Sequence, residues 1–318
     1  MPDAHPGELS TEEGYALLAQ LAAFGPTKPH VVLTGGDPLE RRDLFDLIER
    51  CRSLGLPISV SPSATPKLTY EVVRRFSRAG VEAISVSLDG STTRRHDTLR
   101  GVPGCFARTI DALRSAREVS LPVQINTLVC ADTLGDLLAI HGLATDARAA
   151  RWGLFFLVQI GRGSVLRPID TAAAQRTLEW LADLPSARGP VVTTTEAPHF
   201  RRVLLERRRL PMAGGPRAGF GVRDGNGVLF VSHIGDVSPS GFLDIVAGNV
   251  RSVSPIDIYR SAPLFQALRD VDHFAGRCGV CRFRAICGGS RARAWAATGN
   301  PLAEDPLCAL QVPVEKSS

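Results

Sequence analysis

HVVLTGGDPLERRDLFDLIERCRSLGLPISVSPS, residues 30–63, carries a complete strand–helix–strand repeat. A β-rich run stops at Gly35-Gly36, an amphipathic segment continues from Leu39 to Gly55, and a second β-rich run, PISVSPS, follows. Glycine just past a helix supplies the left-handed residue that ends it. The same rhythm returns downstream. Helix 67–79 leads to AISVSLDG (83–90), helix 103–118 to VQINTLVC (123–130), and helix 133–147 to RWGLFFLVQIG (151–161). Upstream, Ser10 and Glu13 stand at capping-box spacing and open a helix running to Gly25. The strands read as nearly continuous apolar runs, the pattern of a parallel sheet covered by helices. Five strands at this spacing predict an α/β fold with a partial (β/α) barrel, although an open doubly wound sheet has the same local signature.

With 318 residues and 44% apolar side chains, the chain can bury a barrel core and a smaller second domain. The texture changes at PMAGGPRAGFGVRDGNG (211–227), which places the boundary between a barrel at 1–212 and a Cys-rich α+β domain at 213–318. Within the latter, VLFVSHIGDVSPSG predicts two short strands around a turn, and a helical patch covers 255–269. The start, MPDAHPGELSTEEG, has no apolar core of a signal peptide, and the apolar run at 152–160 is too short to span a bilayer. A cytoplasmic protein without membrane contact is expected. The net charge of +5 rests on arginine, lysine occurring only at 28, 67 and 316. Arg207, Arg208 and Arg209 read as a solvated helix face, since no aromatic-plus-basic module accompanies them; nucleic acid is not an expected partner.

Seven cysteines without a secretion signal argue against a disulfide framework. Cys51, Cys105 and Cys130 stand singly in apolar patterns and are expected to be buried as small apolar residues. The other four converge late in the chain, three of them in CGVCRFRAICGGS (278–290): Cys278, Cys281, Cys287 and then Cys308. Four thiolates at C-x-x-C spacing predict a metal centre, and the spacing serves a zinc ribbon as well as a 4Fe-4S cluster.

The whole run CGVCRFRAICGGSRARAWAATGNPLAEDPLC (278–308), together with TTEAPHFRR (194–202), GDVSPSGF (235–242) and GNVR (248–251), resembles the auxiliary-cluster domain, of SPASM or twitch type, found behind radical S-adenosylmethionine (SAM) enzymes. The branch it resembles most serves heme and related tetrapyrrole maturation. The resemblance implies a 4Fe-4S auxiliary cluster on the four cysteines and SAM at the barrel's strand ends. It implies that Gly35, Gly36, Asp37 and Pro38 approach the methionyl amino group, that Ser87 contacts the ribose, and that Arg100 pairs with the SAM carboxylate, with Asn126 and the backbone of 156–161 at later strand ends. It further implies a tetrapyrrole-like substrate, with a peptide next, and a reducing electron donor such as a flavodoxin or ferredoxin.

The sequence departs from that family at two places. No C-x-x-x-C-x-x-C run is present, and such a run holds the 4Fe-4S cluster that reduces SAM; Cys51 lies mid-helix without partners at that spacing. The chain as written is therefore expected not to cleave SAM, and a first barrel strand is expected to be missing. A miscalled start is favoured over a truncated paralogue; a second 4Fe-4S cluster would exist only with a longer N-terminus. Ser290 and Ser240 also stand where related domains carry ligands, so a single auxiliary cluster is expected. Two rival readings follow: a non-catalytic iron–sulfur carrier and a zinc-stapled binding protein.

Overall fold

The structure is a computed structural model that describes residues 5–185, 189–207 and 222–311. Helix α1 (Thr11–Ala22) begins on Ser10, whose hydroxyl and Glu13 close the expected capping box. Strand β1 (Val31–Leu33) is followed by a 3-10 turn (Pro38–Glu40), α2 (Leu44–Ser53), β2 (Ile58–Val60), α3 (Tyr70–Arg78) and β3 (Ala83–Ser87). Then come α4 (Thr93–Arg100), α5 (Cys105–Glu118), β4 (Val123–Val129), α6 (Leu137–Asp146), β5 (Arg151–Phe156), α7 (Thr171–Asp183), β6 (Val191–Thr195) and α8 (His199–Glu206). The six strands pair in chain order, all parallel, with no ladder between β1 and β6 among the described residues. A partial barrel is the result.

Two details differ from the sequence reading. A sixth strand, β6, joins the five expected; its VVTTT run is half-exposed and polar, so it lacks the apolar signature that marked the others. Strands β2, β3 and β4 also alternate: in β4, Val123, Ile125, Thr127 and Val129 are buried while Gln124, Asn126 and Leu128 are only half so. The covered face packs Ile58, Ile84, Val86, Ile125 and Leu154 against Ile48, Val73, Phe76, Leu113, Ile140 and Leu178 of the helices in one core. Each such side chain contributes about 1.5–3 kcal/mol on burial. The other face carries Ser59, Ser85, Ser87, Gln124 and Asn126, polar groups suited to a lumen that is not packed solid. Cys51, Cys105 and Cys130 are buried, as expected of small apolar residues.

The second region holds a small antiparallel sheet, β7 (Phe230–Val231), β8 (Asp236–Ser238) and β9 (Gly248–Asn249), then α9 (Pro255–Ser261), α10 (Pro263–Arg269), α11 (Gly276–Val280) and α12 (Arg291–Thr298). The expected boundary at 212/213 lies outside the described residues, as do Arg208 and Arg209. Val158, just past β5, shares a core with Leu243, Leu268 and Ala292, so barrel and second region bury apolar surface against each other. On another side, Arg251 grips the Glu13 carboxylate and the Gly7 carbonyl, and the Leu9 amide donates to the His233 carbonyl at 2.8 Å. Both contacts hold the N-terminal helix to the small sheet.

Candidate functional site: strand ends and a thiol-lined cavity

The loops at the C-terminal ends of β1 to β4 are tied to one another by short polar side chains. Asp37 caps the 3-10 turn by accepting from the Leu39 amide at 3.1 Å, and it also accepts from the Ser63 amide at 3.3 Å and the Thr65 hydroxyl at 2.9 Å. Ser63 in turn donates to the Gly36 carbonyl at 2.6 Å. The loops after β1 and β2 thus move as one piece. Gly35 has φ +142°, a conformation L side chains rarely adopt, and a Cβ on Gly35 or Gly36 would meet nothing within 4 Å. Bare backbone therefore faces open space, as a ligand ammonium approaching carbonyls requires. Ser87 and Asn126 are register partners and share the polar face, where Asn126 accepts from Gln124 at 2.7 Å and Gly153 leaves room for that pair.

His96-Asp97 and Arg100 have structural partners. Asp89, 3% exposed, accepts from the Leu128 amide at 2.6 Å and pairs with Arg100 at 2.6 Å, while its own amide donates to His96 Nδ1. Asp97 accepts from the amides of Phe106 and Gly104 at the start of α5, which hold its carboxyl below the usual range. Arg108 on α5 is a second guanidinium, not singled out in the sequence, that reaches the loop after β2. Its Nε donates to the Ala64 carbonyl beyond β2 at 2.7 Å and its Nη2 to Pro103 at 3.2 Å, so backbone carbonyls rather than a carboxylate position it.

Beyond the ends of β5 and β6, Cys278, Cys281, Cys287 and Cys308 line one cavity together with His199, Gly288, Gly289 and Asp305. None of the four is in a disulfide. Among the described residues no three His, Cys, Asp or Glu side chains are gathered around a single point. Donors surround the sulfurs: the Phe283 amide lies 3.4 Å from Cys281 Sγ and Arg291 Nη2 lies 3.6 Å from Cys278 Sγ. Gly288 and Gly289 both have φ +67°, and a Cβ on Gly289 would press to 3.2 Å from Cys278 Sγ. Burial raises the Cys278 thiol and pushes Cys287 up to about 12, whereas at Cys308 burial, the largest influence, is outweighed by the combined pull of nearby His199, the Leu310 amide and Arg202, and the thiol is lowered.

The surroundings are cationic. Fully buried Arg291 spends its nitrogens on the Ala303, Pro301 and Gly289 carbonyls, and Arg201 donates to those of Ile286 and Val222. Arg223 is pushed down to about 10 by burial and by the like charges of Arg291 and Arg201. Packing guanidiniums this close calls for a compensating anion, and thiolates bound to a metal centre supply one. His199 Nε2 is a buried polar atom without a well-aligned partner at the same cavity. The donor set, four thiols with N–H groups against two of their sulfurs, fits a thiolate-ligated centre.

Asp305 joins the two halves. It is fully buried and accepts from the Ser290 amide at 2.7 Å, the Leu307 amide at 3.0 Å and Arg293 Nη1 at 3.0 Å, with His199 Nε2 at 3.2 Å. Burial would raise this carboxyl, but Arg293 and His199 hold it far below the usual range. Burial would likewise lower His199, yet Asp305 and Cys308 raise it to about 9. Arg293 also donates to the Glu196 carbonyl at 2.7 Å and reaches the Leu157 and Phe156 carbonyls, so it holds α12 against the ends of β5 and β6.

Glu196 itself has φ +56° and is buried, its carboxyl raised well above the ordinary value by burial and by Asp224. Asp224 accepts from the first amides of α12, Arg291 at 3.1 Å and Ala292 at 3.0 Å. Ser290, where a ligand cysteine was considered, donates to Glu196 and caps α12; Ser240 accepts from the Phe242 and Leu243 amides. Both serines are occupied with local structure. Replacing Arg293→Met strips Asp305 of its principal counter-charge and should cost about 3–5 kcal/mol in urea unfolding; a loss below about 1 kcal/mol would show that the pair is not what joins the halves.

The sequence pattern described as the Radical SAM superfamily matches residues 2–142. An AdoMet-dependent heme synthase of Methanosarcina barkeri is 35% identical over 309 residues, spanning 95% of this chain and 88% of that protein. A pre-heme d1 synthase of Dinoroseobacter shibae is 29% identical over 331 residues, spanning 96% of this chain and 80% of its own. In fold, Streptococcus suis SuiB bound to its precursor peptide SuiA superimposes with a TM-score of 0.72 at 18% identity, covering 97% of this chain and 70% of that one. Parallel strand order, glycine-opened strand ends and likeness along nearly the whole length agree, and the chain belongs to the radical SAM superfamily.

Proposed function

We propose that this chain is the SAM-binding and auxiliary-cluster portion of an enzyme that modifies an unactivated carbon on a tetrapyrrole side chain in the cytoplasm. The observation that carries the reading is the likeness to a heme synthase at 35% identity over 95% of the chain. In this reading Cys278, Cys281, Cys287 and Cys308 ligate one 4Fe-4S cluster; four thiols lining one cavity, with N–H donors against two of the sulfurs, support it. A flavodoxin or ferredoxin supplies electrons. No described helix is long and apolar enough to cross a membrane.

SAM, once reductively cleaved, supplies a radical able to take hydrogen from such a carbon. The protein's part is to hold it. Gly35 and Gly36 offer backbone to the ammonium, with Asp37 and Pro38 fixing their turn, while Ser87 and Asn126 face the adenosine side. Of the two arginines nearby, Arg100 already serves Asp89, so Arg108, which has no carboxylate among its described bonding partners, is the stronger partner for the SAM carboxylate. These 318 residues contain no C-x-x-x-C-x-x-C run to ligate a SAM-cleaving cluster, which favours a second reading, an iron–sulfur carrier that binds SAM without cleaving it.

Calorimetry on iron-reconstituted protein separates these points. Arg108→Gln should weaken SAM binding about 10-fold or more, the loss of one charge-assisted pair, and Arg100→Gln should weaken it less. A larger effect at Arg100 would reverse the assignment. A carboxylated iron porphyrin should bind and a linear peptide should not; the opposite preference would move the substrate to the peptide class. Cleavage of SAM by dithionite-reduced protein would exclude the carrier reading.

A further inference from the structure

His199 has no role in the SAM site, yet its environment is fully specified. It opens α8 directly after Pro198, one turn beyond the left-handed Glu196, and is only 3% exposed. Its Nε2 stands 3.2 Å from Asp305 Oδ2, but off the line of a good hydrogen bond. Asp305 has little need of that proton, because Ser290, Leu307 and Arg293 already supply donors. The same turn that presents Asp305 presents Cys308, whose amide donates back to the Asp305 carbonyl at 3.2 Å, and ring, carboxylate and thiol all line one cavity.

We propose that His199, whose buried Nε2 lies beside Asp305 without a well-aligned partner, donates its Nε2–H to the sulfur of Cys308 and thereby raises the reduction potential of the iron–sulfur centre. The inference rests on the cluster reading given above. A hydrogen bond to a ligand sulfur draws electron density from the metal–thiolate bond and stabilises the reduced, more negative state. Cys281, by contrast, receives only a neutral backbone amide, and Cys278 a long contact from Arg291. His199 is thus a positioning residue for the centre's electronics, supplied by the barrel to a ligand of the second region.

The test uses the full chain reconstituted with iron and sulfide under anaerobic conditions. In redox titrations followed by electron paramagnetic resonance, His199→Leu should shift the midpoint to more negative potential with iron content unchanged, and His199→Gln, which keeps a neutral N–H donor, should fall between it and the wild type. Equal midpoints in iron-loaded proteins would overturn the inference alone. Wild-type protein labelled with 15N-histidine needs no variant to fold: a weak coupling to one histidine nitrogen in the reduced centre is expected, and its absence would also overturn the inference. Protein that takes up zinc but no iron would overturn the cluster reading itself and this inference with it.

Discussion

A carboxylate with no access to water must be neutralised where it stands, and Asp305 is such a group. Its counter-charges come from three directions: Arg293 on α12, His199 at the start of α8, and amides of Ser290 and Leu307. Because Arg293 simultaneously binds the carbonyls that end β5 and follow β6, satisfying one buried charge sets the thiol cavity beside the strand ends. A network of this kind contributes less to net stability than to geometry, since the cost of burying the ions offsets much of their attraction. Its value here is that the second region has one way to sit on the sheet.

That placement gives the molecule two binding regions on the same end of a parallel sheet. One is built of backbone and small polar side chains at β1 to β4, open enough to admit a ligand against Gly35 and Gly36. The other is a pocket around four thiols, lined also by His199 and by Arg277 and Arg284, which pair with Glu304 and Asp272. Glu196, its carboxyl raised well above the ordinary value by burial and by Asp224, and Asp224 itself are held by the start of α12. Active sites of parallel α/β sheets occupy this end because strand termini and their loops can vary without disturbing the packed face below.

Local sequence carried the elements whose signals are local. The Ser10–Glu13 box, the Gly55 stop, the strands from 30 to 156 and the late cysteines were all readable from spacing and residue type. Strand β6 was not, because VVTTT earns its place by pairing with Arg151–Phe155 and not by its own apolar pattern. The alternation of the strands was also hidden, since serine beside valine in ISVS and AISVS reads as tolerated polarity until one face proves to be a lumen. Arg100 illustrates a third limit. Asp89 sits eleven positions earlier, and only the fold shows that this carboxylate is buried and claims the guanidinium. His199 and Asp305, more than a hundred residues apart, could not have been joined by any rule of spacing.

The account depends on an inorganic centre inside the thiol pocket, and iron and sulfide analysis of anaerobically reconstituted protein, read with its Mössbauer spectrum, tests this most directly. It predicts about four irons per chain in a cuboidal cluster bound by cysteine. A colourless protein holding a single zinc, or none of either metal, would contradict it.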